Sequence, residues 1–484
     1  MKKYLIIICM LLNAVVTMAE QVEIDGLKYN LNMDEKTASV SSYNTYNGIL
    51  EIPEKVNFDK VDYTVTAIEQ AAFYRNYNLL SVTIPNTVKT INDHAFESCS
   101  SLASAKIGDG VETIGSYAFY CCGLVSITIG KRVNHIGSYA FNQCFSLTQV
   151  YISDLAAWCN IDIDEMTSNP LYYSHHLYLN KKEIKELVIP DGVTNINNYA
   201  FAGATNITSL TLNNDVTSVG ISAFSGCSSL ATVTFGTSLS SIGNSAFYEC
   251  SSIGSLVLSD GITTIGEYAF RGCSNLDELK LPENLQIIKY SAFAYCGNLT
   301  NVTIPSKVEF IYSDAFVGNR QTPLTVVMMT EYPPIVYSSS FPNGTKIIVP
   351  NESLELFESV SPWSNYDISS FTGTGPEKCA DPEIIYRDGK FIFSCQTPDV
   401  DFHYSVTSED FKQKQTGGQM EVTATYQVTV YATKAGYEKS GTVTKSITIT
   451  RMPTADLNND GTVNAADAVK IVNIIMDKEV YLKE

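Results

Sequence analysis

An Ala-Phe pair returns along this chain at a nearly fixed spacing, and no other feature restricts the possible folds so strongly. The phenylalanines are Phe73, Phe96, Phe119, Phe141, Phe201, Phe224, Phe247, Phe270, Phe293 and Phe316, so eight of the nine intervals are 22 or 23 residues and one is 60. A period of this length is the signature of repeats that stack, because each unit is too small to bury its own apolar side and must cover it with its neighbour.

Other positions keep step with the phenylalanine. Ile or Val stands five residues before it in every repeat, as Ile68, Ile91, Ile114, Ile136, Ile196, Val219, Ile242, Ile265, Ile288 and Ile311. From Phe96 onward apolar residues also precede it by twelve and fourteen positions, Ile84 with Val82 and Leu258 with Leu256 among them. A spacing of two places both on one face of a strand, and segments such as Ser-Val-Thr-Ile-Pro at 81–85 add β-branched residues followed by a breaker. Each repeat therefore begins with a short strand. Neighbouring strands lie ~4.8 Å apart, so some ten rungs make a parallel sheet on the order of 50 Å long, a broad surface and not a pocket.

The pattern Leu-x-x-Val-x-Ile-Pro-x-x-Val-x-x-Ile-x-x-x-Ala-Phe-x-x-Cys resembles the leucine-rich repeats of the BspA-like surface proteins of bacteria, over about residues 48 to 319. The resemblance implies a β-rich fold: a leucine-rich-repeat solenoid with a curved parallel β-sheet along one face. It also implies attachment to host proteins, other cells or extracellular matrix. Val22 to Val65, with Ile24-Asp25-Gly26-Leu27 and Val61-Asp62-Tyr63-Thr64, resembles the amino-terminal cap of such arrays. The expected divisions are a cap at 20–65, a solenoid at 66–319 with an insertion at 153–183, and a closing cap at 320–371 that includes Trp363.

Lys2 and Lys3, the apolar run from Tyr4 to Val16 and the small-residue site ending at Ala19 read as a cleaved signal peptide over 1–19. Cys9 follows Ile8 too early in the run to read as a lipoprotein cysteine. No later apolar stretch approaches the ~18 to 20 residues that span a bilayer, so a secreted or cell-surface protein without a transmembrane segment is expected. With 32 Lys+Arg against 51 Asp+Glu the chain carries a net charge of −19, which repels phosphate backbones and excludes nucleic acid as a partner.

The 60-residue interval is the array's irregularity. It holds Trp158, one of two tryptophans, with Tyr172, Tyr173, Tyr178, His175 and His176 nearby. Aromatic clusters anchor interfaces, so Trp158, Tyr172, Tyr173 and His175 are the local candidates for ligand recognition, and the competing reading is that they pack the insertion onto the solenoid. Cys99, Cys122, Cys144, Cys227, Cys250, Cys273 and Cys296 each follow the ladder phenylalanine by three residues, where Asn76, Ala204 and Asn319 substitute. A site that accepts Cys, Ala or Asn predicts a stacked thiol ladder in place of a disulfide framework. Cys379 and Cys395 lie elsewhere and could pair. His94 and His135 occupy repeat positions filled elsewhere by Tyr117 or Asn195 and read as surface filler. With five histidines, no His-Glu-x-x-His and no Gly-x-Ser-x-Gly, the chain carries no catalytic constellation and no enzyme is expected, although distant paired carboxylates of a glycan hydrolase leave no local signature.

After the linker Thr372-Gly373-Thr374-Gly375-Pro376, residues 377–450 alternate apolar and polar in short runs, which predicts a small β-sandwich. Phe402-His403-Tyr404-Ser405 with Val430-Tyr431-Ala432-Thr433 resembles the immunoglobulin-like module of chitobiase-type proteins. In the last segment, 454–484, Asp456, Asn458, Asp460, Asn464 and Asp467 place oxygen side chains at loop positions 1, 3, 5, 9 and 12, with Gly461 at 6 and the Thr462 carbonyl at 7. Ca2+ needs six to eight oxygens on a tightly turned loop, and the glycine permits the turn. The loop and the following Val469, Ile471, Val472 and Ile475 resemble the loop-helix half of a type I dockerin, and imply a structural Ca2+ and a cohesin-like or envelope partner. A dockerin has two such halves and only eight residues follow Met476, which puts cohesin binding in doubt. Three functions compete: binding or adhesion to protein or glycan ligands through the repeat surface, non-catalytic assembly of extracellular glycan-processing machinery through the calcium module, and glycan hydrolysis. Titration calorimetry of the full chain with Ca2+ is expected to give a saturable signal that Asp460→Ala removes.

Overall fold

The computed structural model describes residues 20–41, 46–318, 323–372, 379–387, 390–398, 400–416, 419–433, 440–451 and 481–482. The signal-peptide segment and the calcium loop (Asp456, Asn458, Asp460, Thr462, Asn464 and Asp467) lie outside the described residues. The chain divides into two compact units, residues 1–347 with 355–368, and residues 348–354 with 369–484.

The first unit is a β-solenoid with few helices. One turn runs through a strand such as Ser104–Lys106, a two-residue strand such as Thr113–Ile114, and a tight segment centred on Phe119. Strands of the first kind pair in parallel and in register, Val82 with Ala105, Ala105 with Ile127 and Ile127 with Val150. Those of the second kind do the same, Ile91 with Ile114 and Ile114 with Ile136. The sequence pattern predicts one sheet. The structure has two rows of strands, because the isoleucine five residues before each phenylalanine and the residue preceding it are extended for long enough to bond to both neighbours.

The phenylalanine segment forms the third side, and its backbone is unusual. Two residues before Phe the chain is left-handed, at His94 (φ 58°), Tyr117 (57°) and Tyr139 (58°), and two residues after it again, at Ser98 (60°) and Cys121 (55°). A left-handed non-glycine residue costs about 1–2 kcal/mol, so something must offset it. The N–H groups of His94, Phe96 and Ser98 bond to Ser116 O, Ala118 O and Tyr120 O on the next turn at 2.9, 2.7 and 2.8 Å, while those of Ala95, Glu97 and Cys99 close turns within the rung. In these rungs the strained backbone is offset by the hydrogen bonds that a neighbouring rung accepts.

Inside this side the rings stack. Phe73 to Phe96, Phe96 to Phe119 and Phe119 to Phe141 have centroids 5.0, 5.0 and 5.3 Å apart and planes within 4–7°. The stack resumes from Phe201 through Phe316 at 5.2–5.4 Å. It then gains a rung that the Ala-Phe pattern does not mark, Phe341, 5.4 Å beyond Phe316, where Ser340 replaces alanine. Trp363 ends the column: it is buried, its ring lies 5.9 Å from Phe341 and its Nε1 donates to Pro334 O at 2.9 Å.

The cysteines form a second column beside the rings. Each ladder thiol donates to the carbonyl of the preceding rung's phenylalanine, Cys99 to Phe73 O at 3.1 Å, Cys122 to Phe96 O at 3.0 Å and Cys250 to Phe224 O at 3.1 Å. Burial pushes the thiols of Cys144 and Cys273 up to about 12, so they stay protonated at neutral pH. Cys395 forms no disulfide with Cys379, and its thiol donates to Ala380 O at 3.0 Å.

At the amino-terminal end Glu20–Ile24, Leu27–Asn32 and Thr37–Val40 form an antiparallel sheet. Its last strand pairs in parallel with Val61–Ile68, which in turn pairs with Thr90–Ile91. The apolar end of the first rung is thereby covered. In the second unit Glu383–Arg387 and Lys390–Ser394 form an antiparallel hairpin, and Asp401–Thr416, Gln419–Thr433 and Val443–Arg451 a three-stranded antiparallel sheet. Ile384, Phe391 and Phe393 of the hairpin share an apolar cluster with Val428 and Val430 of the sheet.

Phe247 lies between Phe224 and Phe270 at 5.3 Å from each. Phe247→Ala should cost about 3–5 kcal/mol, the usual price of emptying a buried ring site, measured by urea unfolding followed by circular dichroism.

Candidate recognition surface

The outward residues of the first strand row are mostly small and hydroxylated: Ser81 and Thr83, Ser126 and Thr128, Ser209 and Thr211, Thr232 and Thr234. At the insertion this row changes character. Tyr151 and Tyr178, on paired strands, bring their rings to 5.0 Å, and the Tyr151 hydroxyl donates to Gln149 Oε1 at 2.9 Å. His176 Nδ1 contacts Glu183 Oε1 at 2.6 Å, a contact that lowers the pKa of the Glu183 carboxyl and keeps it anionic.

The insertion is not a loop laid on the solenoid. It is part of the coil. Leu171 stands midway between Phe141 and Phe201 in sequence, is fully buried, and takes the place of a ladder phenylalanine. The Tyr172 backbone lies against Gly203, where a Cβ would meet its Cα at 3.0 Å, much as Gly203 lies against Gly226 one rung on. Pro170-Leu171 with Ser174 three residues later is a degenerate Ala-Phe-x-x-Cys, so the 60-residue interval is two enlarged turns. Ile163, paired with Ile136, supplies the isoleucine of the first. That signal was present in the sequence and is hidden by the loss of the aromatic ring and by the longer period.

The four residues singled out from the sequence are not brought together as one surface. Trp158 is 1% exposed, on the short helix Leu155–Cys159 whose N-terminus Asp154 caps through Ala157 N–H. Its Nε1 donates to Ala200 O at 2.9 Å, and the Asn169 amide reaches Tyr199 O at 2.7 Å. The Leu171 N–H bonds to Asn169 Oδ1, so Trp158 and the Asn169 amide, the latter at 3.3 Å, take the Ala200 carbonyl that a regular rung would bond by its backbone. Trp158 is therefore an interior staple and offers no face to a ligand. Tyr172 and Tyr173 are half-buried and meet edge to face at 5.2 Å, and Tyr173 meets Phe145 at 5.9 Å. His175 is exposed, left-handed (φ 61°), and held through Nδ1 by Gly203 O at 2.8 Å. Phe145, which the sequence reading passed over, is 79% exposed, a large apolar ring in water next to two tyrosines.

A recess between Gly130–Val133 and the insertion helix, partly lined by Trp158, holds only about 10 Å³, far below the ~300–1,000 Å³ of small-molecule sites. Among the described residues no group of three or more His, Cys, Asp or Glu side chains is placed to hold a metal, and no helix is long and apolar enough to cross a membrane. His94 stacks on Tyr117 at 5.0 Å and contacts Glu97, and His135 Nδ1 lies 3.7 Å from Asp162 Oδ2.

A coil of 22–23-residue turns with in-register parallel strands and a phenylalanine core defines a leucine-rich-repeat solenoid of surface type. The BspA type leucine rich repeat region matches in six copies over residues 66–157, 172–220 and 194–322, about half of the chain, and the chain belongs to that family. Solved structures of similar proteins include a leucine-rich repeat protein from Bacteroides ovatus (23% identity, 73% of this chain and 99% of that one, TM-score 0.43). A leucine rich cell surface protein from Faecalibacterium prausnitzii is 24% identical over 60% of this chain and 94% of its own, with a TM-score of 0.30. The pneumococcal vaccine antigen PcpA is 16% identical over 74% and 98%, with a TM-score of 0.36. No curated protein matches the chain.

Trp158→Phe should lower stability by about 1–3 kcal/mol, because it removes the bond to a buried carbonyl, whereas Phe145→Ala should change it by less than about 0.5 kcal/mol. Thermal and urea unfolding of the two variants check both expectations.

Proposed function

We propose that this protein is an exported, non-catalytic binding protein that attaches to macromolecules, host or matrix proteins, other cells or their glycans, through the outward faces of its coil. The observation that carries this reading is the cluster of Phe145, Tyr172 and Tyr173 on the two enlarged turns, with Tyr151 and Tyr178 on the adjoining strand row. Phe145 has no intramolecular reason to be exposed, since water penalises a bare ring by about 1.5–3 kcal/mol relative to its burial. Aromatic side chains held by a stiff scaffold supply contact area at little cost in conformational entropy, and they dominate binding where a partner excludes water from them. Membership of a surface-type repeat family supports the same reading.

The loop at 456–467 is proposed to bind a structural Ca2+, and the segment that follows it to dock on an envelope partner.

The chain from residue 20 onward is expected to bind saturably to at least one member of a panel of matrix proteins, bacterial cells and glycans, read by biolayer interferometry. Phe145→Ala with Tyr173→Ala should weaken that binding on the order of tenfold or more with the unfolding transition unchanged. Silence across the whole panel would overturn the proposal.

A further inference from the structure

Away from the insertion, one cation of the repeat surface lies among three tyrosine rings, where Arg75 lies over the Tyr74 ring alone, at 5.0 Å. Lys89 pairs with Glu112 at 3.2 Å and Lys131 with Asp109 at 3.8 Å. Arg271, which directly follows the ladder residue Phe270, has tyrosine rings around it: its guanidinium carbon lies 4.9 Å from the Tyr295 centroid, 5.7 Å from Tyr268 and 5.8 Å from Tyr248. Tyr290 closes the group, edge to face with Tyr268 at 5.2 Å. No ion pair or hydrogen bond to the guanidinium is found among the described residues. Cation–π contact uses the charge and the flat faces and leaves the in-plane N–H fork free.

Stacking of the repeats builds this cluster. Tyr248 and Arg271 hold the same position on adjacent turns, and Tyr295 comes from the turn after. Tyr295 is 44% and Tyr290 37% exposed. The Tyr295 ring lies flat over Gly318 (φ 91°), where an added Cβ would sit 2.5 Å from a ring carbon, so the bare glycine fixes where that ring can lie. The Tyr248 hydroxyl is engaged by the Glu249 carboxylate, which raises the tyrosine's pKa. The cluster is thus pre-arranged: one fork of donors, two exposed rings and phenolic hydroxyls, within the span of one or two sugar rings.

From this geometry we infer that Arg271, Tyr248, Tyr268, Tyr290 and Tyr295 form a binding site for a carboxylated sugar, a uronic or sialic acid residue of a glycan. The guanidinium fork takes a carboxylate by two parallel N–H···O bonds, a match lysine cannot make. The exposed faces of Tyr290 and Tyr295 cover the C–H side of the sugar, and the phenolic groups meet its hydroxyls. A densely acidic peptide fits poorly, since there is a single cation and both Glu249 and Glu267 flank it. A glycan carries its charges one per sugar and surrounds them with hydroxyls. The inference rests on the proposed binding function and names a ligand class for a second part of the same surface.

The test uses the full chain in chelator, so that calcium bridging cannot contribute. Calorimetric titrations compare hexagalacturonate with its methyl-ester, and sialyllactose with lactose, which separates the two sources of the carboxylate. Binding of at least one acid on the order of tenfold or more tighter than its neutral counterpart is expected, as is its loss in Arg271→Gln and partial retention in Arg271→Lys. Tyr295→Leu should weaken it with Arg271 still in place, and unfolding midpoints show whether each variant keeps its fold. Equal affinity for acid and neutral forms, no binding of either acid, or unchanged binding by folded Arg271→Gln overturns the inference. If the acids fail while the wider panel still yields a ligand, only this inference falls; silence in both overturns the binding function as well.

Discussion

Everything in the first unit depends on register between one turn and the next. The backbone around each phenylalanine of the Ala-Phe pairs visits the left-handed region twice, the first time always without glycine, a conformation an isolated turn has no reason to keep. Stacking at about 5 Å lets three N–H groups per turn reach the carbonyls above, and places ring on ring and thiol on carbonyl in the same step. No turn is stable alone. The energetics are those of a one-dimensional array, in which damage to one rung is felt mainly by its two neighbours.

That dependence explains how the array ends and how it tolerates interruption. At the start an antiparallel sheet hydrogen-bonds onto the first turn. At the other end Phe341 and Trp363 continue the aromatic column until an indole, anchored through Nε1 to Pro334, closes it. In the middle, two enlarged turns replace phenylalanine with Leu171 and backbone hydrogen bonds with the side chains of Trp158 and Asn169. The column stays filled while the outward surface is free to change. The enlarged turns consequently carry the exposed Phe145 and the Tyr151–Tyr178 pair, where the regular turns carry serine and threonine.

Recognition in such a molecule is a property of rows. A residue at a given repeat position meets its equivalents 22 or 23 residues away, so side chains remote in sequence become neighbours with fixed spacing. The grouping of Arg271 with tyrosines from three successive turns arises in this way, and so does the thiol column, whose members are silenced by burial and by donation to carbonyls. A rigid spacing of about 5 Å between equivalent side chains favours extended ligands that repeat on a similar scale.

The period, the strand at each repeat, the ladder of phenylalanines and the small-residue role of the cysteines were legible in the sequence, because each depends on local pattern repeated many times. The proposed calcium loop is likewise a local pattern, its oxygen side chains lying within twelve consecutive residues. The second sheet, the rung built on Leu171, the extra rung at Phe341 and the interior place of Trp158 were decided by tertiary structure. In each case a residue's role follows from what lies one turn above or below it: for Trp158 the sequence leaves ligand recognition and packing both open, and Ala200 O over its indole nitrogen decides for packing. A sequence states what each turn is made of, whereas which groups face water, and which of them face each other, is set only when the turns are stacked.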